Sequence, residues 1–172
     1  GVTEFRRVLF RSIEFGAFAS KNATRSGARK PATFSFLGFT HICARKHGNG
    51  MFTIKRRTVG KRMTAKLREV GEELKRRRHY PIAEQGAYLR SVLDGHDRYF
   101  GVPGNEPQLY RFHFEVIGRW WKVLRTRSQV HNLTWARMSG YTERYLPKPT
   151  IHHPYPLTRM GVTTQGRSRM RE

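Results

Sequence analysis

The stretch T-V-G-K-R-M-T-A-K-L-R-E-V-G-E-E-L-K-R-R-R, Thr58 to Arg78, decides the fold, because the period of the apolar residues changes there. Met63, Leu67, Val70 and Leu74 are spaced four, three and four, which sets them on one stripe of a helix. Around that stripe lie Lys61, Arg62, Lys66, Arg68, Lys75, Arg76, Arg77 and Arg78. Residues 55–78 carry eleven basic and three acidic side chains, a net +8. Glu69, Glu72 and Glu73 are too few for balanced i,i+4 pairing, so the segment reads as a phosphate-facing helix rather than a solvated charged face. Arg76 to Arg78 fall at its expected C-terminus, where the helix dipole favours cations.

Upstream of Thr58 the period is two. Phe34, Phe36, Phe39 and His41, with Leu37 among them, are set against Ser35, Gly38 and Thr40. Lys46 to Gly50 supplies turn residues, and Met51 to Arg56 resumes the alternation with Phe52 and Ile54. This pattern predicts a β-hairpin over residues 34–56 with Asn49-Gly50 in its turn. Before it, Ile13 to Ala19 (I-E-F-G-A-F-A) is followed by a polar, basic loop from Ser20 to Lys30. Glu4 to Ser12, E-F-R-R-V-L-F-R-S, resembles the translation of a sequencing adapter, which puts the start of native sequence near Ile13 and excludes residues 1–12 from the fold. On that reading the chain is the C-terminal piece of something longer.

Downstream, Pro81 ends the first helix and opens a second, with Ile82, Leu89, Leu93, His96 and Phe100 as its buried stripe. Gly101-Val-Pro-Gly-Asn105 is a stop and restart, in which Asn105 is expected to cap the next helix with Gln108 three residues on. Leu109, Phe112, Val116, Trp120, Val123 and Leu124 mark one side of that helix, and Arg111, Arg119, Lys122 and Arg125 its flanks. Trp120 and Trp121 cannot face the core equally, so one of them either lines a groove or covers a helix junction. Asn132 to Trp135 reads as a cap, followed by a short helix ending near Tyr145 with Leu133, Met138 and Tyr141 as its contacts. Pro147, Pro149, Pro154 and Pro156 then make an extended segment that packs along an existing surface, and Gly166 to Glu172 is a mobile basic tail. The fold class is therefore α+β: residues 13–57 with the hairpin, a helical bundle over 58–146, and an extended Pro-rich, basic tail over 147–172.

Charge bounds the function. Thirty-four Lys and Arg against twelve Asp and Glu leave the 172 residues at +22, yet 37% of them are hydrophobic and 21 are aromatic. Such a chain can build a core, and its surface calls for a polyanion, with nucleic acid the first candidate and a membrane surface a competitor. No apolar run approaches the roughly 18 residues of a membrane span. The single cysteine, Cys43, rules out an intrachain disulfide framework and a Cys-pair zinc site, and fits a reducing cytoplasm. Asp94-Gly95-His96-Asp97 lacks a nucleophile or a second acid pair, and His152-His153 lacks the acid or cysteine that would complete a ligand set. The first is expected to be a surface or hydrogen-bonded structural cluster, and the second to be structural or in contact with RNA. No catalytic, metal-binding or cofactor-binding residue is expected, nor any small-molecule substrate.

Five motifs in order carry a resemblance. F-S-F-L-G-F-T-H (Phe34 to His41) resembles the block that ends the palm of bacterial group II intron reverse transcriptases. D-R-Y-F-G-V-P-G-N (Asp97 to Asn105), R-S-Q…L-T-W (Arg127 to Trp135) and Y-L-P-K-P-T-I-H-H-P-Y-P (Tyr145 to Pro156) are similar to their maturase domain, and G-R-S-R-M-R-E to their C-terminal tails. The resemblance implies a thumb, or domain X, over Thr58 to Tyr145 that grips intron RNA and, in the full-length enzyme, the RNA/DNA template–primer duplex. Such binding assists splicing and intron mobility in the bacterial cytoplasm. The Tyr-Ala-Asp-Asp carboxylates are absent, as are the Lys-Thr motif before I-E-F-G and the cysteine pairs of an HNH endonuclease; Mg2+ is expected only in the palm of the parent. Asp97 stands where relatives often have an aromatic, and Ser139-Gly140 weakens the short helix. This chain is therefore expected neither to polymerise nor to cut DNA.

On this reading Lys61, Arg62, Lys66, Arg76, Arg77, Arg78, Arg119, Lys122 and Arg125 neutralise phosphates, while Tyr99, Trp121 and Tyr155 stack on bases. The alternative is a general basic nucleic-acid-binding protein, ribosomal or chromatin-like, which would not distinguish intron RNA from other duplexes. A third possibility is a fragment that does not fold without its palm.

Overall fold

A computed structural model describes residues 15, 16, 18–25, 27, 31–45, 48, 50–127 and 133–154. The architecture is α+β, with a three-stranded antiparallel sheet near the N-terminus followed by four helices. The chain divides into two compact units, Gly1–Arg57 and Thr58–Glu172.

In the first unit, helix α1 (Ala19–Arg25) precedes strands β1 (Phe34–Phe36), β2 (Phe39–Arg45) and β3 (Phe52–Thr58), with β2 in the centre. Two expectations are corrected. The loop expected over Ser20 to Lys30 contains most of α1, because Ala19 and Ala23, one turn apart, are buried and give the segment an apolar stripe. The single strand expected over Phe34 to His41 is instead a hairpin of its own. Leu37 (φ 47°) and Gly38 (φ 79°) form a two-residue turn with both residues left-handed, and Phe34 pairs with His41, Ser35 with Thr40 and Phe36 with Phe39. The Phe34 ring stacks on His41 across this register, 4.8 Å between centroids and 5° from parallel. In the connection from β2 to β3, Asn49 lies outside the described residues, while Gly48 (φ 100°) and Gly50 (φ 64°) supply the left-handed backbone.

The second unit contains α2 (Gly60–Arg76), α3 (Ile82–Phe100), α4 (Glu106–Arg125) and α5 (Trp135–Tyr145). Helix α4 packs against α2 and α3, and α3 against α5. Met63, Leu67, Val70 and Leu74 of α2 are all buried, in one cluster with Phe112, Val116, Trp120, Val123 and Leu124 of α4. Leu89 and Leu93 of α3, Met138 of α5, and Leu133 and Leu146 beside it complete that cluster. Full burial of each large apolar side chain stabilises by roughly 1.5–3 kcal/mol, so these stripes, rather than helix propensity, hold the bundle. Ile82 and Phe100, expected in the α3 stripe, are only half-buried. Trp120 is the tryptophan that enters the core, and Trp121 is half-buried. Helix α5 runs unbroken through Ser139-Gly140.

The expected side-chain cap of α4 is corrected. The Asn105 side chain does not cap α4; its Oδ1 accepts from Thr58 N (3.0 Å), and its Nδ2 donates to Thr58 Oγ1 (2.8 Å) and Phe100 O (2.9 Å). Pro107 lies in the first turn of α4, so one of the N–H groups a cap would satisfy is missing. For α5 the cap is Thr134, whose Oγ1 accepts from Arg137 N at 3.4 Å, and Asn132 lies outside the described residues.

The expected extended segment is seen from Leu146 to Pro154, which forms neither helix nor strand. Thr150 N donates to Asp97 Oδ2 (3.1 Å), and the backbone N–H groups of His152 and His153 both donate to Gly101 O (3.0 Å each). The His153 ring bonds Arg98 O at 2.7 Å. The strap is thereby fixed to the C-terminal end of α3. Pro156 and the tail from Gly166 to Glu172 lie outside the described residues. No described helix is long and apolar enough to cross a membrane.

Candidate nucleic-acid interface

Because the α2 stripe faces the core, its cations are carried on the remaining surface. Lys61, Arg62, Arg68, Arg76 and Arg78 are exposed, and Lys66 and Arg77 half-buried. The three glutamates do more pairing than their number suggested. Lys66 bonds Glu69 (2.7 Å), Lys75 bonds Glu72 (2.9 Å), and Glu73 takes both Arg77 (2.6 Å) and Arg76 (3.4 Å). Hydrogen bonds from Lys75 and Arg77 hold the Glu72 and Glu73 carboxyls below the usual range. Among the described residues, Lys61, Arg62, Arg68 and Arg78 form no ion pair, and Arg68 acts on the Glu72 carboxyl only at longer range. Exposed pairs such as these add little stability and are readily exchanged for phosphate.

Seven of the nine expected phosphate contacts fall in three places. Arg62 and Lys66 line a groove of about 1070 Å³ between α2 and α3, and Tyr99 stands on its α3 side. The structure therefore brings those three together, with Arg68, Ser91 and His96 as further lining. Arg76, Arg77 and Arg78 sit at the end of α2, where the Arg77 guanidinium lies over the Tyr88 ring, 4.7 Å from its centroid. Burial pushes the Tyr88 phenol up, with the Glu73 and Glu69 charges acting in the same direction. Lys122 and Arg125 are exposed near the end of α4, and the Arg125 guanidinium lies 4.8 Å over the Trp121 ring. Lys61 is exposed on the first turn of α2.

Arg119 belongs to none of these groups. It is half-buried, bonded to Glu115 Oε2 (2.7 Å) and Glu115 O (3.0 Å), and its aliphatic stem lies against Gly71 of α2. Packing and pairing account for it. Tyr155 lies outside the described residues. Trp121 makes an edge-on contact with Trp135, 5.5 Å between centroids and 90° between planes.

The polar cluster on α3 is tied by hydrogen bonds to α4 and to the strap. Asp97 is buried, and both its carboxylate oxygens lie 2.9–3.0 Å from His113 Nε2 of α4, while Oδ2 also takes Thr150 N. Burial would raise its pKa, but the hydrogen bonds from His113 and Thr150, with the His96 ring 3.6 Å away, outweigh that and bring it down to about 2. His96 stacks on Phe112 with centroids 3.7 Å apart. Among the described residues no group of three or more His, Cys, Asp or Glu is placed to hold a metal ion. In comparisons with known proteins, no family model, no curated protein and no solved structure matches this chain.

Proposed function

We propose that this chain is an RNA-binding module of the group II intron reverse transcriptase type, comprising the palm end and the thumb, or domain X, and that it binds intron RNA to assist splicing. The observation that carries the reading is the construction of α2. Its whole apolar stripe is buried, and this leaves Lys61, Arg62, Arg68 and Arg78 exposed and in no ion pair among the described residues. A rigid helix that presents several solvated cations can trade counterions for RNA phosphates without reorganising. The ordered motifs from Phe34 to Pro156 supply the family part of the reading. It also accounts for Phe36, Leu37, Phe52 and Ile54, which the sheet leaves in solvent and which a larger palm would cover. Polymerisation belongs to the parent enzyme, whose metal-binding carboxylates are not in this sequence.

The test is a competition. Whole-chain protein bound to labelled group II intron RNA is challenged with unlabelled intron RNA or with an unrelated structured RNA of equal length. The reading requires the intron RNA to compete at least about tenfold better. Equal competition assigns the chain to general basic nucleic-acid binding instead.

A further inference from the structure

The face of α4 turned away from the core is aromatic. Tyr110 and Phe114, one turn apart, are 62% and 67% exposed, and Trp121, half-buried with part of its ring against the core, continues the line seven residues on. Trp135, 51% exposed, extends it through its edge-on contact with Trp121. Between Phe114 and Trp121 sits Gly118, where a side chain would meet nothing within 4 Å. Exposed Arg111, Lys122 and Arg125 lie along the same outward surface, and among the described residues no carboxylate pairs with them. A monomer rarely leaves such large rings in solvent without a use for them.

We propose that this face binds an unpaired stretch of RNA, with bases stacked on Tyr110, Phe114 and the Trp121–Trp135 corner and phosphates held by Arg111, Lys122 and Arg125. The inference rests on the RNA-binding reading and adds to it a second contact, distinct from the α2 cations. Charge decides the occupant. An apolar helix brings no charge, and a second copy of a chain at +22 brings net positive charge to three cations, whereas a single strand brings one phosphate per base. The spacing also suits it: Tyr110 to Trp121 spans about 16 Å of helix, room for a few stacked or splayed nucleotides, and the bare backbone at Gly118 admits a ribose or phosphate between the rings. Arg125 over Trp121 already shows the flat cation–ring arrangement on which a base can be layered.

The experiment uses the whole chain and two probes, a blunt RNA duplex and the same duplex with an overhang of about ten uridines. The overhang probe is expected to bind about tenfold more tightly and to quench tryptophan fluorescence. The double variant Tyr110→Ala, Phe114→Ala is expected to lose that gain while binding the blunt duplex as before, and Phe114→Tyr to keep it. Blunt duplex bound, with no gain from the overhang in the unaltered chain, overturns this inference and leaves the RNA-binding reading standing. Binding of neither probe overturns both. Concentration-dependent self-association that the double variant abolishes, with the overhang gain unchanged, gives the face to a second copy and also overturns the inference. The two-probe comparison on the unaltered chain decides the matter even if the double variant fails to fold.

Discussion

Trp120 donates its indole N–H to the Gln85 carboxamide oxygen at 2.9 Å, with both side chains fully out of solvent. The other end of the same carboxamide, Nε2, donates to the carbonyls of Arg77 (2.9 Å), Tyr80 (3.0 Å) and Arg78 (3.3 Å). These carbonyls close the end of α2, where backbone acceptors have no helical partner. One α3 side chain thus ties the α4 core tryptophan to the turn that carries Arg77 and Arg78.

Replacing Gln85 with Leu would keep the volume but remove the partner of the Trp120 N–H and of the Arg78 and Tyr80 carbonyls, while Arg77 O keeps its bond from Tyr80 N. A destabilisation of about 2–3 kcal/mol is expected, read as a lower urea midpoint at unchanged slope. RNA affinity should fall as well, because the Arg76 to Arg78 turn is no longer anchored. A variant as stable as the original chain would mean the link is redundant.

Acid should weaken the bundle through Asp97. Its folded pKa of about 2 lies below the ordinary 3.8, so the ionised form is favoured by folding. The associated stability is fully present above about pH 4 and is lost as pH falls through about 2, amounting to about 2 kcal/mol. Urea unfolding at several pH values between 7 and 2 should show this slope in the original chain and a smaller one in Asp97→Asn. Equal slopes would show that other carboxylates carry the acid sensitivity.

The strap depends on the absence of a side chain at Gly101. A Cβ there would collide with Asp97 O and stand 2.7 Å from Thr150 O, both backbone atoms with little room to move. Gly101→Ala is expected to lift residues 146–154 from α3, at about 1–3 kcal/mol. Hydrogen exchange should accelerate at His152 and His153, whose N–H groups bond Gly101 O, well before it does in α4. Unchanged protection there would mean the strap is held elsewhere.

The bundle is legible in the sequence because its signals are local. Met63 to Leu74 and Leu109 to Leu124 repeat at helical spacing, and each stripe is buried as expected. The Leu37-Gly38 turn escapes such reading for a geometric reason. A two-residue turn leaves Phe36 facing Phe39, so alternation on either side looks like that of one uninterrupted strand. The roles of Asn105 and Gln85 are hidden because their partners lie 47 and 35 residues away, beyond any local pattern. The outward rings are visible as Tyr110 and Phe114, one turn apart on the side opposite the core stripe, but attention to that stripe hides its complement. Counting Glu69, Glu72 and Glu73 undervalues them, since three acids can occupy four cations when spacings of three and four are both used.

Charge reversal separates α2 from the rest. Lys61→Glu with Arg62→Glu lies on the exposed side of α2 and should leave the melting transition nearly unchanged. Affinity for structured RNA should drop, and the salt slope should become shallower by about one for each phosphate that is no longer neutralised. If affinity holds while the fold is intact, phosphate binding does not run through this turn.

The measurement that bears most directly on phosphate capture by the basic helices is the salt dependence of intron RNA binding by the whole chain between 50 and 200 mM. With about six phosphates neutralised, the logarithm of the binding constant should fall with the logarithm of salt at a slope of roughly −4 to −5. Affinity that does not change across that range would contradict the account.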